Sequence, residues 1–309
     1  MVDRKSYHKL SVVIPLYHSG STIVRLVDRL YELYSKYDIE VVLVNDGSTD
    51  DTWLYCEKVK EAHANVVCLD LRRNYGEHNA VMCGLNHCTG DYIAIIDDDF
   101  QNPPEEIEKL MAIADRYDVV YSFYKKKEHH WFRNMGSKIN DYFATLLIGK
   151  PKGLYLSSFK LINREIVDEI IKYRGPFPYI DGLILRVTSS IGQVEVAHNR
   201  REEGRSNYTL TKLIHLWLSM FINFSIKPMR FLMLTGFSVS VISVLLAIWI
   251  VIEKIYNPEL TVGWASTMTL IILFFGIQFV FLGLIGEYLG KQYLDQNGTP
   301  QWVIRKKIK

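Results

Sequence analysis

Cysteine is scarce in this chain of 309 residues: there are four, Cys56, Cys68, Cys83 and Cys88. Their spacing matches neither a zinc site nor a redox pair, so they read as small core residues of a reducing compartment. The first residues, Met-Val-Asp-Arg-Lys-Ser-Tyr-His, lack the apolar core of a signal peptide, so the first part of the chain is expected in the cytoplasm. There is no internal repeat and no low-complexity tract. A net charge of +2 gives no electrostatic footprint for nucleic acid, and none is expected as a partner. The most informative absence is local. No charged residue occurs from Phe231 to Ile252, and none from Leu260 to Gly286.

Each uncharged run exceeds the ~20 residues that cross a bilayer core. A buried core helix is the alternative for one such run, but two lie side by side. Only Glu253 to Glu259 joins them, so they are expected to form a hairpin. Lys227 and Arg230 precede it, Lys291, Arg305, Lys306, Lys307 and Lys309 follow it, and the connection holds one Lys. The positive-inside rule then puts both ends on the cytoplasmic side. Gly276, Gly283, Gly286 and Gly290 would permit close helix packing, within the chain or between subunits.

The rest is organised around Gly90 to Pro104. Tyr92 to Ile96 is an apolar run of strand type that leads straight into Asp97, Asp98 and Asp99. Asn102 can cap the next helix, Pro103 suits its first turn, and Glu105 and Glu106 suit its dipole. Carboxylates at the end of a central strand lie where open α/β sheets bind ligands. A divalent cation holding a diphosphate needs such hard oxygen donors. A solvated acidic turn is the plain alternative.

The same alternation runs along the chain. Strands are expected at Leu10–Leu16, Ile39–Val44, Val66–Leu69, Tyr92–Ile96, Asp118–Phe123, Ser157–Ile162 and Gln193–Ala197. Helices lie between them, including one striped by Ile107, Leu110, Met111, Ala114 and Tyr117 and one capped by Asn163. This pattern predicts an α/β fold with a mostly parallel sheet and helices on both faces. Phe132 to Leu147 reads as an amphipathic helix bearing Arg133 and Lys138, either an ordinary core helix or one lying on a membrane surface. An aromatic-rich helix from Tyr208 to Lys227 reads as interfacial. The expected division is therefore a catalytic domain 1–207, an interfacial helix and linker 208–230, a two-span hairpin 231–290 and a basic cytoplasmic tail 291–309.

The strings Val13-Ile-Pro-Leu-Tyr17, Val44-Asn-Asp-Gly-Ser-Thr-Asp-Asp-Thr52, Arg73-Asn-Tyr-Gly-Glu-His78, Asp97-Asp-Asp-Phe-Gln-Asn-Pro-Pro-Glu105 and Arg201-Glu-Glu-Gly-Arg-Ser-Asn-Tyr208 occur in the order seen in family-two inverting glycosyltransferases. More narrowly, the chain resembles the polyprenyl-phosphate glycosyltransferases. That group includes dolichol-phosphate mannose synthase and bacterial undecaprenyl-phosphate glucosyl- and aminoarabinose-type transferases. The resemblance covers nearly the whole chain, hairpin included. A Gln-x-x-Arg-Trp signature of processive synthases is missing, which implies a single sugar transfer.

The resemblance implies a GT-A fold and a set of roles. Pro15, Tyr17, Asp46, Arg73, Gly76, Asp97 and Asp98 would border the nucleotide-sugar, with UDP as the expected nucleotide; Asp98 could equally be a spectator. Asp99 and Gln101 would hold Mg²⁺ or Mn²⁺ against the leaving diphosphate. Arg133, Lys160, Arg201, Arg205 and Ser206 would bind the acceptor phosphate, and each cation has a plain surface charge as its alternative. Asp181 would contact sugar hydroxyls, act as a base, or simply start a helix. Two departures from relatives matter: Asn207 stands where many carry Lys, and Leu154 stands where aminoarabinose-type relatives have Asp. The resemblance further implies a multi-pass protein of the bacterial inner membrane, its catalytic domain in the cytoplasm, assembled as a homo-oligomer (a tetramer). The expected reaction is inverting transfer of a glucose-like sugar to undecaprenyl phosphate. Transfer of an amino sugar or mannose from another nucleotide, or a non-catalytic scaffold or flipping subunit, are the rival readings.

Overall fold

The computed structural model describes residues 9–124, 150–151, 153–197, 199, 227–256 and 263–309. The chain divides into two compact units, Met1–Asn207 with Gly298–Lys309, and Tyr208–Asn297.

The first unit is built on strands β1 (Lys9–Leu16), β2 (Asp38–Asn45), β3 (Val66–Leu71), β4 (Tyr92–Ile95), β5 (Val119–Phe123), β6 (Lys160–Asn163), β7 (Ile191–Glu195) and β8 (Ile304–Ile308). They form one sheet in the order β7-β5-β6-β4-β1-β2-β3-β8. β1 pairs in parallel with β2 and β4, β2 with β3, and β5 with β7. The pairs β4–β6, β5–β6 and β3–β8 are antiparallel. The sheet is thus mixed, parallel across β4-β1-β2-β3 and again at the β5–β7 edge.

Alternation along the strands sends side chains to two cores. Leu10, Val12 and Ile14 of β1 pack with Ile23, Leu26, Val27 and Leu30 of α1 (Thr22–Leu33) and with Cys56 and Val59 of α2 (Thr52–Ala62). Val13, Val42 and Val44 face the other way, against α3 (Glu77–Leu85). There Gly84 is needed for contact: a Cβ at this position would stand 2.4 Å from Cγ1 of Val13. α5 (Arg164–Ile170) and α6 (Ile180–Val187) cover the same face, and Ile166, Val167, Ile180 and Ile184 are buried there. Such continuous apolar strands are what a sheet covered on both faces requires. All four cysteines are free and buried.

Two local expectations are corrected. The helix after the acidic turn is broken into a 3₁₀ turn Pro104–Glu106, a short α4 (Ile107–Met111) and a second 3₁₀ turn Ala114–Arg116. Ile113 leaves helical geometry at φ −117°, yet Ile107, Leu110, Met111 and Ala114 still share the core. Asn102 does not cap this segment; its Oδ1 accepts from the Tyr124 hydroxyl at 2.6 Å. By contrast Asn163 does cap α5, accepting from the Ile166 amide at 2.9 Å. A third correction concerns 291–309, expected as a basic tail: Ile304–Ile308 is the edge strand β8 of the sheet.

The second unit contains α7 (Lys227–Tyr256) and α8 (Trp264–Gln296), of 30 and 33 residues. Within α8, Leu273–Gln296 is long and apolar enough to cross a membrane, and it is the one such segment among the described residues. α8 continues past Gly290, where the hairpin was expected to end, to Gln296. The amphipathic segment 132–147 and the interfacial helix up to residue 226 lie outside the described residues.

Candidate active site

The site is the edge of the sheet where β1, β2, β3 and β4 end. In parallel strands these ends carry the loops that meet ligands. Tyr17, exposed, follows β1 and stacks on His18, with ring centroids 4.2 Å apart. Asp46 follows β2 and is only 3% exposed. Its Oδ1 accepts from the Tyr75 amide at 2.7 Å and its Oδ2 from the Gly76 amide at 2.8 Å. Burial pushes its carboxyl above the usual range, and those two amides pull it back. Asp46 therefore fixes the loop from Arg73 to Gly76 that opens α3. Gly47 completes the crossing: at φ +65°, a Cβ there would stand 2.3 Å from the Arg73 carbonyl carbon. Arg73 lies over the Tyr75 ring at 4.7 Å. Pro15 is a residue of β1, opposite Val44.

At the end of β4, Asp97 Oδ2 accepts from the Ser158 hydroxyl at 2.6 Å. Burial raises the carboxyl of Asp98, and the Ser19 hydroxyl opposes that shift. Asp99 Oδ1 accepts from the Gln101 amide at 3.1 Å. Between them Phe100 adopts φ +54°, a left-handed conformation rare for a bulky residue. Such strain costs ~1–3 kcal/mol and persists where surrounding structure holds it. Here Arg25 lies over the Phe100 ring at 5.2 Å, and the Gln101 carbonyl accepts from the Asn199 amide at 2.9 Å. The Tyr34 hydroxyl of α1 donates to the Pro104 carbonyl at 2.8 Å. The turn is held from several sides.

Antiparallel β6 brings its first residue to this edge, because Lys160 pairs with Ile95 of β4 and Tyr121 of β5. Lys160, expected to meet the acceptor phosphate, is 3% exposed, and its ammonium is engaged by Asp181 Oδ1. The Tyr121 hydroxyl donates to the same oxygen at 2.8 Å. Lys160 Nζ also lies 5.0 Å from the centre of the Tyr121 ring. A buried ammonium needs such a counter-charge, which explains why Lys160 turns inward. Asp181, 7% exposed, sits in the first turn of α6.

Sequence reasoning passed over two neighbours of this pair. Glu77 and His78 open α3. Crowding by protein, with Asp97 and Asp181 nearby, raises the Glu77 carboxyl to about 7, although the side chain keeps contact with water. Burial lowers His78 to about 4, so it is neutral at neutral pH, and its ring meets Tyr179 edge-on at 5.1 Å. Both residues stand in the Arg73–His78 string, where only Arg73 and Gly76 had been singled out. Ser158 had no signal beyond its closeness to Lys160. Arg133, Arg201, Arg205 and Ser206 lie outside the described residues.

The residues fit a hard divalent cation. Asp97 and Asp99 offer carboxylate oxygens and Gln101 an amide oxygen, and a bound diphosphate would complete the shell. No group of three or more His, Cys, Asp or Glu side chains is preassembled for a metal among the described residues.

A mixed α/β sheet with this edge defines a GT-A-type enzyme. The glucosyl-3-phosphoglycerate synthase of Mycobacterium tuberculosis, crystallised with Mn²⁺, UDP and phosphoglyceric acid, shares the fold. Its TM-score is 0.51 at 20% identity, over 69% of this chain and 78% of that one. The same synthase with Mn²⁺, UDP-glucose and phosphoglyceric acid gives 0.52 at 20% identity, over 69% and 80% of the two chains. The chain belongs to glycosyl transferase family 2, whose model matches residues 11–171, and it is a glycosyltransferase. It is similar over its full length to the undecaprenyl-phosphate 4-deoxy-4-formamido-L-arabinose transferase of Enterobacter sp. (strain 638), at 33% identity over 100% of this chain and 96% of the relative. It is also similar to the enzyme of that name from Proteus mirabilis (strain HI4320), at 32% over 97% and 94%.

Proposed function

We propose that this protein moves one sugar from a nucleotide-sugar, with UDP as the nucleotide, to undecaprenyl phosphate at the cytoplasmic face of the bacterial inner membrane. The observation that carries this reading is the full-length match to undecaprenyl-phosphate sugar transferases, which takes in the carboxylate edge and the apolar helices alike. The helices suit a lipid acceptor. Leu273–Gln296 crosses the bilayer, and the uncharged run Phe231–Ile252 of α7 is the second span.

In this reading Tyr17, Asp46, Arg73 and Gly76 border the base and ribose, and Asp97 and Asp98 the diphosphate side. Asp99 and Gln101, with Asp97, hold Mg²⁺ or Mn²⁺, which when bound offsets negative charge on the departing diphosphate. Ser158 orients Asp97. Lys160 and Tyr121 orient Asp181 toward the sugar, so the charge of Lys160 is spent within the protein. Arg133, Arg201, Arg205 and Ser206 then meet the acceptor phosphate. That phosphate is already an anion and needs placement more than activation. Its approach opposite the diphosphate inverts the anomeric carbon.

The sugar is glucose-like. Leu154, which by the family resemblance stands where aminoarabinose-type relatives carry Asp, is buried among apolar side chains and offers the sugar no polar atom. The test is transfer of labelled sugar into the organic phase by the full chain in bilayers, with undecaprenyl phosphate, Mn²⁺ and a panel of UDP- and GDP-sugars. Label from UDP-glucose is expected to extract with the lipid. Extraction from another donor would reassign the sugar, and extraction from none would refute the reading.

A further inference from the structure

Asp70 is a carboxylate on β3 that is 1% exposed. Burying a charge there is costly unless it is paired and hydrogen-bonded. Two partners meet the requirement. Asn45, its direct partner on β2, donates from Nδ2 to Oδ1 at 2.9 Å. Arg305 of β8 donates from Nε to Oδ2 at 2.7 Å. Arg305 reaches Asp70 through an irregularity in the ladder. Asp70 pairs with Lys306 and Leu71 with Ile304, so Arg305 is the extra residue on β8. A bulge of this kind re-aims a side chain. The next rung is regular: the Arg72 amide donates to the Val303 carbonyl at 2.9 Å.

The chain of contacts continues toward the site. Asn45 Oδ1 accepts from the Ser48 amide at 3.3 Å. Ser48 Oγ accepts from the His18 amide at 3.1 Å. The series Arg305–Asp70–Asn45–Ser48–His18 thus runs from β8 across the ends of β3, β2 and β1. Its members His18 and Asn45 adjoin Tyr17 and Asp46 in the chain, two of the residues assigned to the nucleotide.

We infer that Arg305 is a positioning residue for the nucleotide pocket. Its guanidinium holds the buried Asp70, which sets Asn45 and with it the turn that presents Asp46 and Tyr17. Arg305 acts through Asp70, not on the substrate. The inference rests on the proposed nucleotide-sugar reading, and the test separates the two.

The experiment measures UDP affinity by calorimetry, with Mn²⁺, on the full chain in nanodiscs, and donor KM and kcat on the same samples. Wild-type protein that binds none of UDP, GDP and CDP would refute the functional reading and the inference with it. Given nucleotide binding by the wild type, Arg305→Gln should weaken Kd and raise donor KM about tenfold, one lost positioning contact, with kcat little changed. Arg305→Lys, which keeps the charge but lacks the fork, should fall between. Lys306→Gln, which removes the neighbouring Lys306–Glu57 pair (2.5 Å) on the same strand, should leave Kd unchanged. Unchanged Kd in Arg305→Gln, or an equal loss in Lys306→Gln, would overturn the inference. If Arg305→Gln does not fold, Arg305→Lys decides alone, and an affinity equal to wild type counts against it.

Discussion

The two units of this chain treat the same kinds of side chain in opposite ways. In the α/β unit Val12, Val13, Ile14 and Leu43 are 0% exposed. In the helical unit Phe237 is 69% exposed and Val280 is 68% exposed. Soluble monomers rarely leave contiguous apolar patches larger than a few hundred Å². The first unit makes its own apolar interior, and the exposed apolar side chains described in the second support its proposed place in a bilayer. Polar groups follow the same division. The α/β unit buries Asp46, Asp70, Lys160 and Asp181, each with partners, at the sheet edge proposed as the active site.

Substitutions in each unit test this contrast. The largest expected effect lies in the α/β unit. Lys160→Met should strand Asp181 and cost ~3–5 kcal/mol of stability, as breaking buried ion pairs does. Urea unfolding of the full chain would measure it, and Lys160→Met with Asp181→Asn should recover much of the loss. Next comes the helical unit. Val280→Asp, near the middle of α8, should cost ~2.5–3.5 kcal/mol of membrane insertion. Flotation with vesicles should fall, while the urea midpoint of the α/β unit stays put. Asn163→Ala should cost ~1 kcal/mol through the lost cap of α5, again by urea unfolding.

The smallest effect is a pair of opposed pH slopes. Glu77 titrates near 7 in the folded chain against 4.5 normally, so the folded state holds a proton that the unfolded state has lost. Its contribution therefore falls as pH rises through that window. His78 titrates near 4 against 6.5 normally, so the unfolded state takes up the proton first, and stability is lost as pH falls from 6.5 toward 4. The two oppose each other between pH 4.5 and 6.5. Glu77→Gln should make the slope of stability with pH more positive there, and His78→Gln more negative. Solvent contact at Glu77 keeps its part small. Parallel shifts in both variants would contradict the assignment.

The central strands were legible because burial on both faces leaves near-continuous Val, Ile and Leu. The position of the carboxylate turn was legible because the apolar run of β4 leads straight into Asp97, Asp98 and Asp99. β6 between β4 and β5 was not legible as antiparallel, since strand order depends on contacts far apart in sequence. Lys160 and Asp181 stand 21 residues apart, and no local spacing joins them. β8 was hidden by its own composition. Ile304-Arg-Lys-Lys-Ile308 reads as a basic tail, yet lysines on an edge strand guard it against pairing with another chain. Its charges, counted toward membrane topology, also serve Asp70 and Glu57. The left-handed Phe100 had no signal at all, because residue type argues against it.

The most direct measurement compares wild type with Asp99→Asn in bilayers. Lipid-extractable label is followed with Mn²⁺ and after its removal by a chelator. Transfer should fall at least a hundredfold in the variant, typical of removing a group that stabilises developing charge. Chelated wild type should lose a comparable amount and regain it with added Mn²⁺, with unfolding midpoints unchanged. Wild-type turnover in Asp99→Asn, or in the presence of the chelator, would refute metal-assisted transfer at this edge.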